Sequence, residues 1–207
     1  FGFDTAISIV TEALDRLHTT TEAHHRAMVV EVMGRHAGWI AVYGGLAGGA
    51  DMILIPERPF EVKDVADIVR KRAMQGRGFS IIVVAEGAVP KGIEGYITKD
   101  AKKDAFGHAM LGGIGEFLAK EIEKATGVES RHVVLGHLQR GGGPTAHDRI
   151  LATRYGVKAV ECINECNFGM MVALQGNKVV AIPLEEGVKQ TKTVDMEIYK
   201  VAEVFFG

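Results

Sequence analysis

Short apolar runs rich in β-branched residues alternate with longer helical patterns, and this alternation is the strongest constraint on the fold. Four such runs predict strands at Ala27–Val32, 52–55, Ser80–Ala85 and 132–135. Strands that are apolar on both faces are typical of a parallel sheet covered by helices. The sequence therefore predicts an α/β fold of three layers, with a mostly parallel sheet flanked by helices.

The helical patterns lie between and after these runs. They predict helices over 5–18, 36–47, Val62–Met74, 109–125, Ala146–Asn164 and 196–202. Asp4 is a suitable N-cap for the first helix. Two further apolar runs flank Gly176-Asn177, a pair that favours a tight β-hairpin turn. The polar stretch 90–104 is predicted to be a surface loop.

Composition excludes several classes of protein. The formal net charge of the 207 residues is −2, so there is no basic field that would favour nucleic acid and no polybasic run that would favour a membrane. No apolar stretch approaches the roughly 18 residues of a membrane span. The two cysteines, Cys162 and Cys166, are expected to be reduced thiols of a cytoplasmic protein. The side chains of the adjacent His24 and His25 would point to opposite sides of an extended chain, and no cysteine or carboxylate stands at ligand spacing from them. No metal site is therefore predicted.

The residues that follow the predicted strands are the best candidates for a binding site, because ligands of open parallel sheets lie beyond the carboxyl ends of the strands. Arginine, histidine, glutamate and glycine converge there. The candidates are Met33, Gly34, Arg35, Glu86, His137, Gln139 and Arg140.

Each candidate has a functional and a structural interpretation. Gly34-Arg35 opens a predicted helix, whose free N–H groups and guanidinium would bind an anion; the alternative is a glycine turn with a solvent-facing arginine. His137 and Arg140, before three glycines, would both point at a phosphate, although a single histidine after a strand is often structural. Glu86 would accept hydrogen bonds from a polyol, or simply cap its strand.

Arg26 and Arg131 stand at the beginning of predicted strands. They therefore lie at the sheet edge opposite the candidate site and cannot reach it within one subunit. They would reach such a site only in a neighbouring subunit.

Several stretches spread over the whole chain carry a family resemblance. They are 1–6, 30–38, 45–51, 55–57, 134–142 and Asp148-Arg149 with Leu151-Ala152. With these motifs the chain resembles the later part of a 6-phosphofructokinase, of the actinobacterial type in which both ATP- and pyrophosphate-dependent enzymes occur.

The resemblance implies phosphoryl transfer to the 1-hydroxyl of fructose 6-phosphate, giving fructose 1,6-bisphosphate. Arg35 would stabilise the transferring phosphoryl group, and Met33 and Gly34 would contact the sugar. Glu86 would bind sugar hydroxyls. His137 and Arg140 would hold the 6-phosphate, with Leu138 and Gln139 in the same motif. The remaining two substrate ligands, Arg26 and Arg131, would act in trans in a homo-oligomer, a dimer or a tetramer.

The same resemblance implies that the Mg²⁺ site, the catalytic aspartate and the loop for the phosphoryl donor, ATP or pyrophosphate, belong to an N-terminal half that precedes the segment matching Phe1. We therefore expect these residues alone to be inactive. The alternative is a stand-alone sugar-phosphate-binding or regulatory chain without catalysis.

The implied organisation has three parts. Residues 1–140 would bind fructose 6-phosphate, residues 141–168 would form a helical segment packed on the N-terminal nucleotide domain, and residues 169–207 would form a hairpin and a helix. If so, the helix Ala146–Asn164 should expose apolar residues, namely Ile150, Leu151, Val157 and Val160.

Overall fold

The computed structural model describes residues 2–93, 95, 97–103 and 109–207. Its helices are α1 (Phe3–Ala23), α2 (Trp39–Ala47), α3 (Val62–Met74), α4 (Ile114–Thr126), α5 (Ala146–Asn164), α6 (Leu184–Val188) and α7 (Met196–Glu203), with a 3-10 helix at Gly136–Arg140. Its strands are β1 (Ala27–Val32), β2 (Met52–Leu54), β3 (Ser80–Ala85), β4 (Thr98–Lys103), β5 (Ala109–Leu111), β6 (Ser130–Val134), β7 (Met170–Gln175) and β8 (Lys178–Pro183).

A sheet of four parallel strands, in the order β2-β3-β1-β6, is the centre of the fold. These strands match the four predicted apolar runs within two residues at each end. Every residue of β1, β2 and β3 is buried, because both faces of the sheet are covered.

Alternate residues of each strand pack against helices on opposite faces of the sheet. One face carries Val30 and Val83 against Val10, Val42 and Tyr199, from α1, α2 and α7. The other face packs against α3 and α4 and includes Val29, Ile82, Val65, Leu118 and Ile122. The predicted three-layer α/β architecture is thus confirmed.

The chain divides into two compact units. One comprises Ala6–Gly141 with Thr193–Gly207 and contains the four-stranded sheet. The other comprises Phe1–Thr5 with Gly142–Lys192 and contains α5 and the antiparallel β7–β8 hairpin. These units do not test the functional division into 1–140, 141–168 and 169–207, which stays a prediction.

The smaller unit matches two expectations from the sequence. Gln175 pairs with Lys178 across the predicted Gly176-Asn177 turn. Helix α5 exposes Ile150, Val157 and Val160, by 62%, 57% and 55% of their surface, while Leu151 is partly buried. The apolar stripe is therefore present, apart from Leu151.

Other local predictions differ from the structure. Helix α1 runs from Phe3 to Ala23, beyond the predicted 5–18. The predicted loop 90–104 contains β4, which pairs with β5, and β5 replaces the predicted start of the helix over 109–125. Glu94, Tyr96 and Asp104 of the predicted loop lie outside the described residues. Strand β4 has a polar sequence and β5 has only three residues, followed by two glycines, so neither gave a strand signal.

Candidate functional site

Three loops with the predicted site residues follow three neighbouring strands. Met33, Gly34 and Arg35 follow β1, Glu86 follows β3, and the Gly136–Arg140 turn follows β6. Since β3, β1 and β6 are adjacent and parallel, all three loops leave the same edge of the sheet. This is the edge at which ligands of parallel sheets bind.

Glu86 fixes the loop that carries Arg35. Its Oε1 accepts hydrogen bonds from the backbone N–H groups of Gly34, at 3.2 Å, and Arg35, at 2.9 Å. Among the described residues, no group donates a hydrogen bond to Oε2 of Glu86. One carboxylate oxygen of Glu86 therefore has a structural role.

The expected anion site at the start of α2 is wrong in its details. The helix begins at Trp39, not at residue 36, and its N-cap is Gly38. The N–H groups of Gly34 and Arg35 are already bound to Glu86, so they do not form a free anion site. Glu57 accepts a hydrogen bond from the N–H of Gly38 at 3.1 Å.

Close packing forces the backbone of this loop into an unusual conformation. Arg35 has φ +52°, in the left-handed region that non-glycine residues rarely adopt. Beneath it, a Cβ atom at Gly87 would lie 1.8 Å from the carbonyl oxygen of Arg35. Only glycine fits at position 87, and the loop geometry depends on it.

Gln139 joins the loop after β1 to the turn after β6. Its side-chain oxygen accepts a hydrogen bond from the N–H of Met33 at 3.2 Å, and its Nε2 donates to the carbonyl of Gly136. Gln139 is only 2% exposed. Its neighbours His137, Leu138 and Arg140 are exposed, so the turn buries the amide and presents the other three side chains to solvent.

The charges at this edge suit an anionic ligand with hydroxyl groups. Arg35 and Arg140 are exposed guanidiniums on two loops that Gln139 ties together. His137 adds a ring nitrogen, and Glu86, which follows β3, adds a carboxylate that can accept hydrogen bonds. Guanidinium groups bind phosphate in a bidentate manner, and a carboxylate accepts hydrogen bonds from hydroxyls.

Arg26 and Arg131 lie at the opposite edge, as the strand directions predict. Arg26 directly precedes β1, and Arg131 is the second residue of β6, paired in register with Met28. The structure brings these two arginines together but does not bring them to the edge that carries Arg35 and Arg140.

Two carboxylates that shape this region escaped the sequence analysis. Glu31, in the middle of an apolar strand, is 2% exposed and accepts hydrogen bonds from the N–H groups of Gly113 and Gly115 at the start of α4. Glu57 binds the N–H of Val194 at 2.9 Å as well as that of Gly38. A charged residue inside the β1 run was the available signal for Glu31, and the signal for Glu57 was its place in the 55–57 stretch that carries the family resemblance.

A cavity of about 760 Å³ lies elsewhere, in the smaller compact unit, and is lined by Gly2, Pro144, Asp148, Arg149, Leu151, Ala152, Thr153 and Tyr155. None of the predicted site residues lines it. Arg35, His137, Leu138 and Arg140 lie on exposed loops instead.

A magnesium ion does not fit the described part of the chain. Over residues 2–93, 95, 97–103 and 109–207, no three His, Cys, Asp or Glu side chains are grouped so that they could hold a metal ion. In the same ranges, no helix has both the length and the apolar character needed to cross a membrane.

Comparison with known proteins gives consistent matches. The sequence profile of the family described as Phosphofructokinase matches residues 1–163. The chain is 60% identical over 207 residues to a pyrophosphate–fructose 6-phosphate 1-phosphotransferase from Amycolatopsis mediterranei, and 49% identical over 208 residues to an ATP-dependent 6-phosphofructokinase from Corynebacterium efficiens. Both matches cover 100% of this chain and 60% of the relative.

Solved structures agree with the sequence matches. Phosphofructokinase from Saccharomyces cerevisiae superposes with a TM-score of 0.73 at 35% identity, covering 97% of this chain and 24% of that one. A pyrophosphate-dependent phosphofructokinase from Marinobacter aquaeolei gives a TM-score of 0.74 at 26% identity, covering 93% of this chain and 48% of that one. The chain thus spans 60% of the length of the curated relatives named above.

Proposed function

The chain belongs to the phosphofructokinase family, and from this premise we propose that it supplies the fructose 6-phosphate site of a 6-phosphofructokinase. The reaction is phosphoryl transfer to the 1-hydroxyl of the sugar, giving fructose 1,6-bisphosphate. Relatives that use ATP and relatives that use pyrophosphate both match the whole chain, so either molecule is a candidate donor.

One observation carries the proposal. The loop with Arg35 and the turn with His137 and Arg140 are tied together by the buried side chain of Gln139, while Glu86 holds the same Arg35 loop from the third strand. Phosphoryl transfer depends mainly on positioning and on neutralising charge. A site of cationic side chains on mutually fixed loops meets both requirements.

The proposed roles of the individual residues come from the family resemblance, and the chemistry of each side chain suits its role. His137 and Arg140 bind the 6-phosphate, and Arg35 neutralises charge on the group transferred to the 1-hydroxyl. Glu86 uses its Oε2 to accept a hydrogen bond from a sugar hydroxyl. Met33, Gly34, Leu138 and Gln139 complete the site, with Gln139 acting mainly by fixing the two loops.

The proposed assembly is a homo-oligomer in which Arg26 and Arg131 of one subunit complete the site of its partner. The exposed apolar stripe of α5 supports a second part of the proposal, that residues 141–168 pack on a nucleotide-binding domain. Both cysteines are free thiols, which supports a cytoplasmic location.

The first experiment measures binding of fructose 6-phosphate and of unphosphorylated fructose to the 207-residue chain by calorimetry. Arg140→Ala should weaken fructose 6-phosphate binding by about 10- to 100-fold, since a charge-assisted hydrogen bond contributes roughly 1.5–3 kcal/mol. The matched control is Arg16→Ala, which removes an exposed guanidinium from α1. Equal losses for both variants would contradict the proposed site.

A second experiment separates a catalytic site from a site that only binds sugar phosphate. If Arg35 faces the position of the transferred group, Arg35→Ala should weaken binding of fructose 1,6-bisphosphate about tenfold and change fructose 6-phosphate binding much less. Equal weakening of both ligands would favour the alternative, a sugar-phosphate-binding chain without catalysis.

A further inference from the structure

Glu129 forms ion pairs with both arginines of the opposite edge. Its Oε1 lies 2.8 Å from a terminal guanidinium nitrogen of Arg131 and 3.6 Å from one of Arg26. The carbonyl of Glu129 also accepts a hydrogen bond from the N–H of Ala27 at 2.9 Å. The backbone that carries this carboxylate is therefore fixed against the start of β1, directly beside Arg26.

The cluster keeps an excess of positive charge. Two guanidiniums share one carboxylate, which leaves a net charge of about +1. The Nε of Arg26 is buried and has no hydrogen-bond acceptor among the residues that the structure describes. The Arg131 side chain is 58% exposed and that of Glu129 41%, so an anion can approach the pair from solvent.

We propose that Glu129 is the resting counter-ion of Arg26 and Arg131 and competes with the phosphate group of the substrate for them. The proposal rests on the function given above, in which these arginines bind the phosphate held by a neighbouring subunit. Glu129 is then a positioning residue, since it acts through the arginines. It keeps the two guanidiniums side by side and lowers their affinity for phosphate.

The sign of the effect distinguishes this role from a purely structural one. A carboxylate that only holds the arginines in place would, on removal, weaken phosphate binding. A competing carboxylate would, on removal, strengthen it. Removal of the Glu129 charge releases both guanidiniums and also removes the repulsion between Glu129 and an incoming phosphate. Glu129→Gln should therefore tighten binding by about five- to tenfold.

The experiment measures fructose 6-phosphate binding by calorimetry at low salt for the wild type, Glu129→Gln, Arg131→Ala and the double variant. Glu123→Gln is the control, because it removes one carboxylate from an exposed position of α4. We expect tighter binding only for Glu129→Gln, and no tightening when Arg131 is also replaced. Thermal unfolding of each variant confirms that it is folded.

A second arm follows the guanidinium N–H resonances of Arg26 and Arg131 by NMR during titration with inorganic phosphate. Unchanged or weaker binding by Glu129→Gln in both arms would overturn the proposal and leave the proposed function intact. If the wild type fails to bind fructose 6-phosphate, the proposed function fails. The phosphate arm then still decides: tighter binding by Glu129→Gln supports the competition, and its absence overturns it.

Discussion

At the scale of single residues, Gln139 shows how a side chain can belong to a site without facing the ligand. The sequence placed it among the substrate contacts because it lies between His137 and Arg140. In the structure its amide is buried and joins the N–H of Met33 to the carbonyl of Gly136. The sequence does not show this role, because Met33 and Gln139 are 106 positions apart and come together only in the folded structure.

Gln139→Ala should therefore damage both stability and binding. It leaves a backbone donor and a backbone acceptor without their partner, which costs about 1–3 kcal/mol of unfolding free energy. It also frees the two loops from each other, so fructose 6-phosphate binding should weaken by about tenfold. Urea unfolding and calorimetry measure the two effects.

The neighbouring Leu138→Ala serves as the control for this prediction, because Leu138 is 71% exposed. It should leave the unfolding free energy within about 0.5 kcal/mol of the wild type. If Gln139→Ala changes neither stability nor binding, the buried amide does not hold the loops together.

At the scale of elements, two carboxylates from distant segments bind N–H groups at or just before helix starts, in addition to the local caps Thr145 of α5 and Asp195 of α7. Glu57 binds the N–H of Gly38 before α2 and the N–H of Val194 before α7. Asp148 of α5 accepts hydrogen bonds from the N–H and the hydroxyl of Thr5 in the first turn of α1. The sequence predicted a local cap, Asp4, since pattern analysis sees only neighbours along the chain.

Glu57→Ala should destabilise the larger compact unit by about 2–4 kcal/mol, because two backbone donors lose their acceptor. Glu57→Gln keeps an acceptor oxygen and should recover part of that loss. The matched control, Glu61→Ala, breaks only an exposed 3.4 Å pair with Lys91 and should cost about 0.5 kcal/mol or less. Chemical denaturation distinguishes these variants. Equal effects at positions 57 and 61 would exclude a special role for Glu57.

Asp148 makes the stability of the smaller unit depend on pH. Burial opposes ionisation of this carboxyl, but the hydrogen bonds from Thr5 outweigh it and hold its pKa below the ordinary 3.8. A lowered pKa in the folded state means that the carboxylate contributes its full stability above about pH 4. That contribution is lost as the pH falls through the folded-state pKa.

The measurement compares urea unfolding of the wild type and Asp148→Asn between about pH 6 and pH 3. The wild type should be more stable by about 1–3 kcal/mol at the upper end, and the difference should shrink toward the lower end. A difference that is constant over this range would show that the ionised carboxylate is not its source.

At the scale of the whole molecule, the parts that the sequence predicted are those fixed by local pattern. The four parallel strands and the β7–β8 hairpin follow from apolar runs and a turn pair. The order β2-β3-β1-β6 does not, because it depends on how the helices cross over the sheet. Strand β4, with the sequence TKDAKK, carries no apolar alternation and was missed. For the candidate site, the ends of the predicted strands indicated the correct edge of the sheet. The hydrogen bonds of Glu31, Glu57 and Glu86 could not be predicted, because they join residues that are far apart in the sequence.

The position of Arg26 and Arg131 leads to a prediction about subunits. Within one chain they lie at the edge opposite Arg35 and Arg140, so they can complete a site only in a partner. Arg131→Ala and Arg140→Ala should each weaken fructose 6-phosphate binding by about 10- to 100-fold. In a hybrid dimer of these two variants, one site has both arginines and the other has neither.

Mixing the two variants should therefore restore binding that neither shows alone. If a dimer exchanges subunits at random, about half of the dimers are hybrids, and about one quarter of all sites regain wild-type affinity. Calorimetry of the mixture counts those sites, and native mass spectrometry counts the hybrids. A mixture that contains hybrids but no high-affinity sites would mean that Arg131 serves its own subunit, because only a contribution across the subunit boundary can combine two intact arginines in one site.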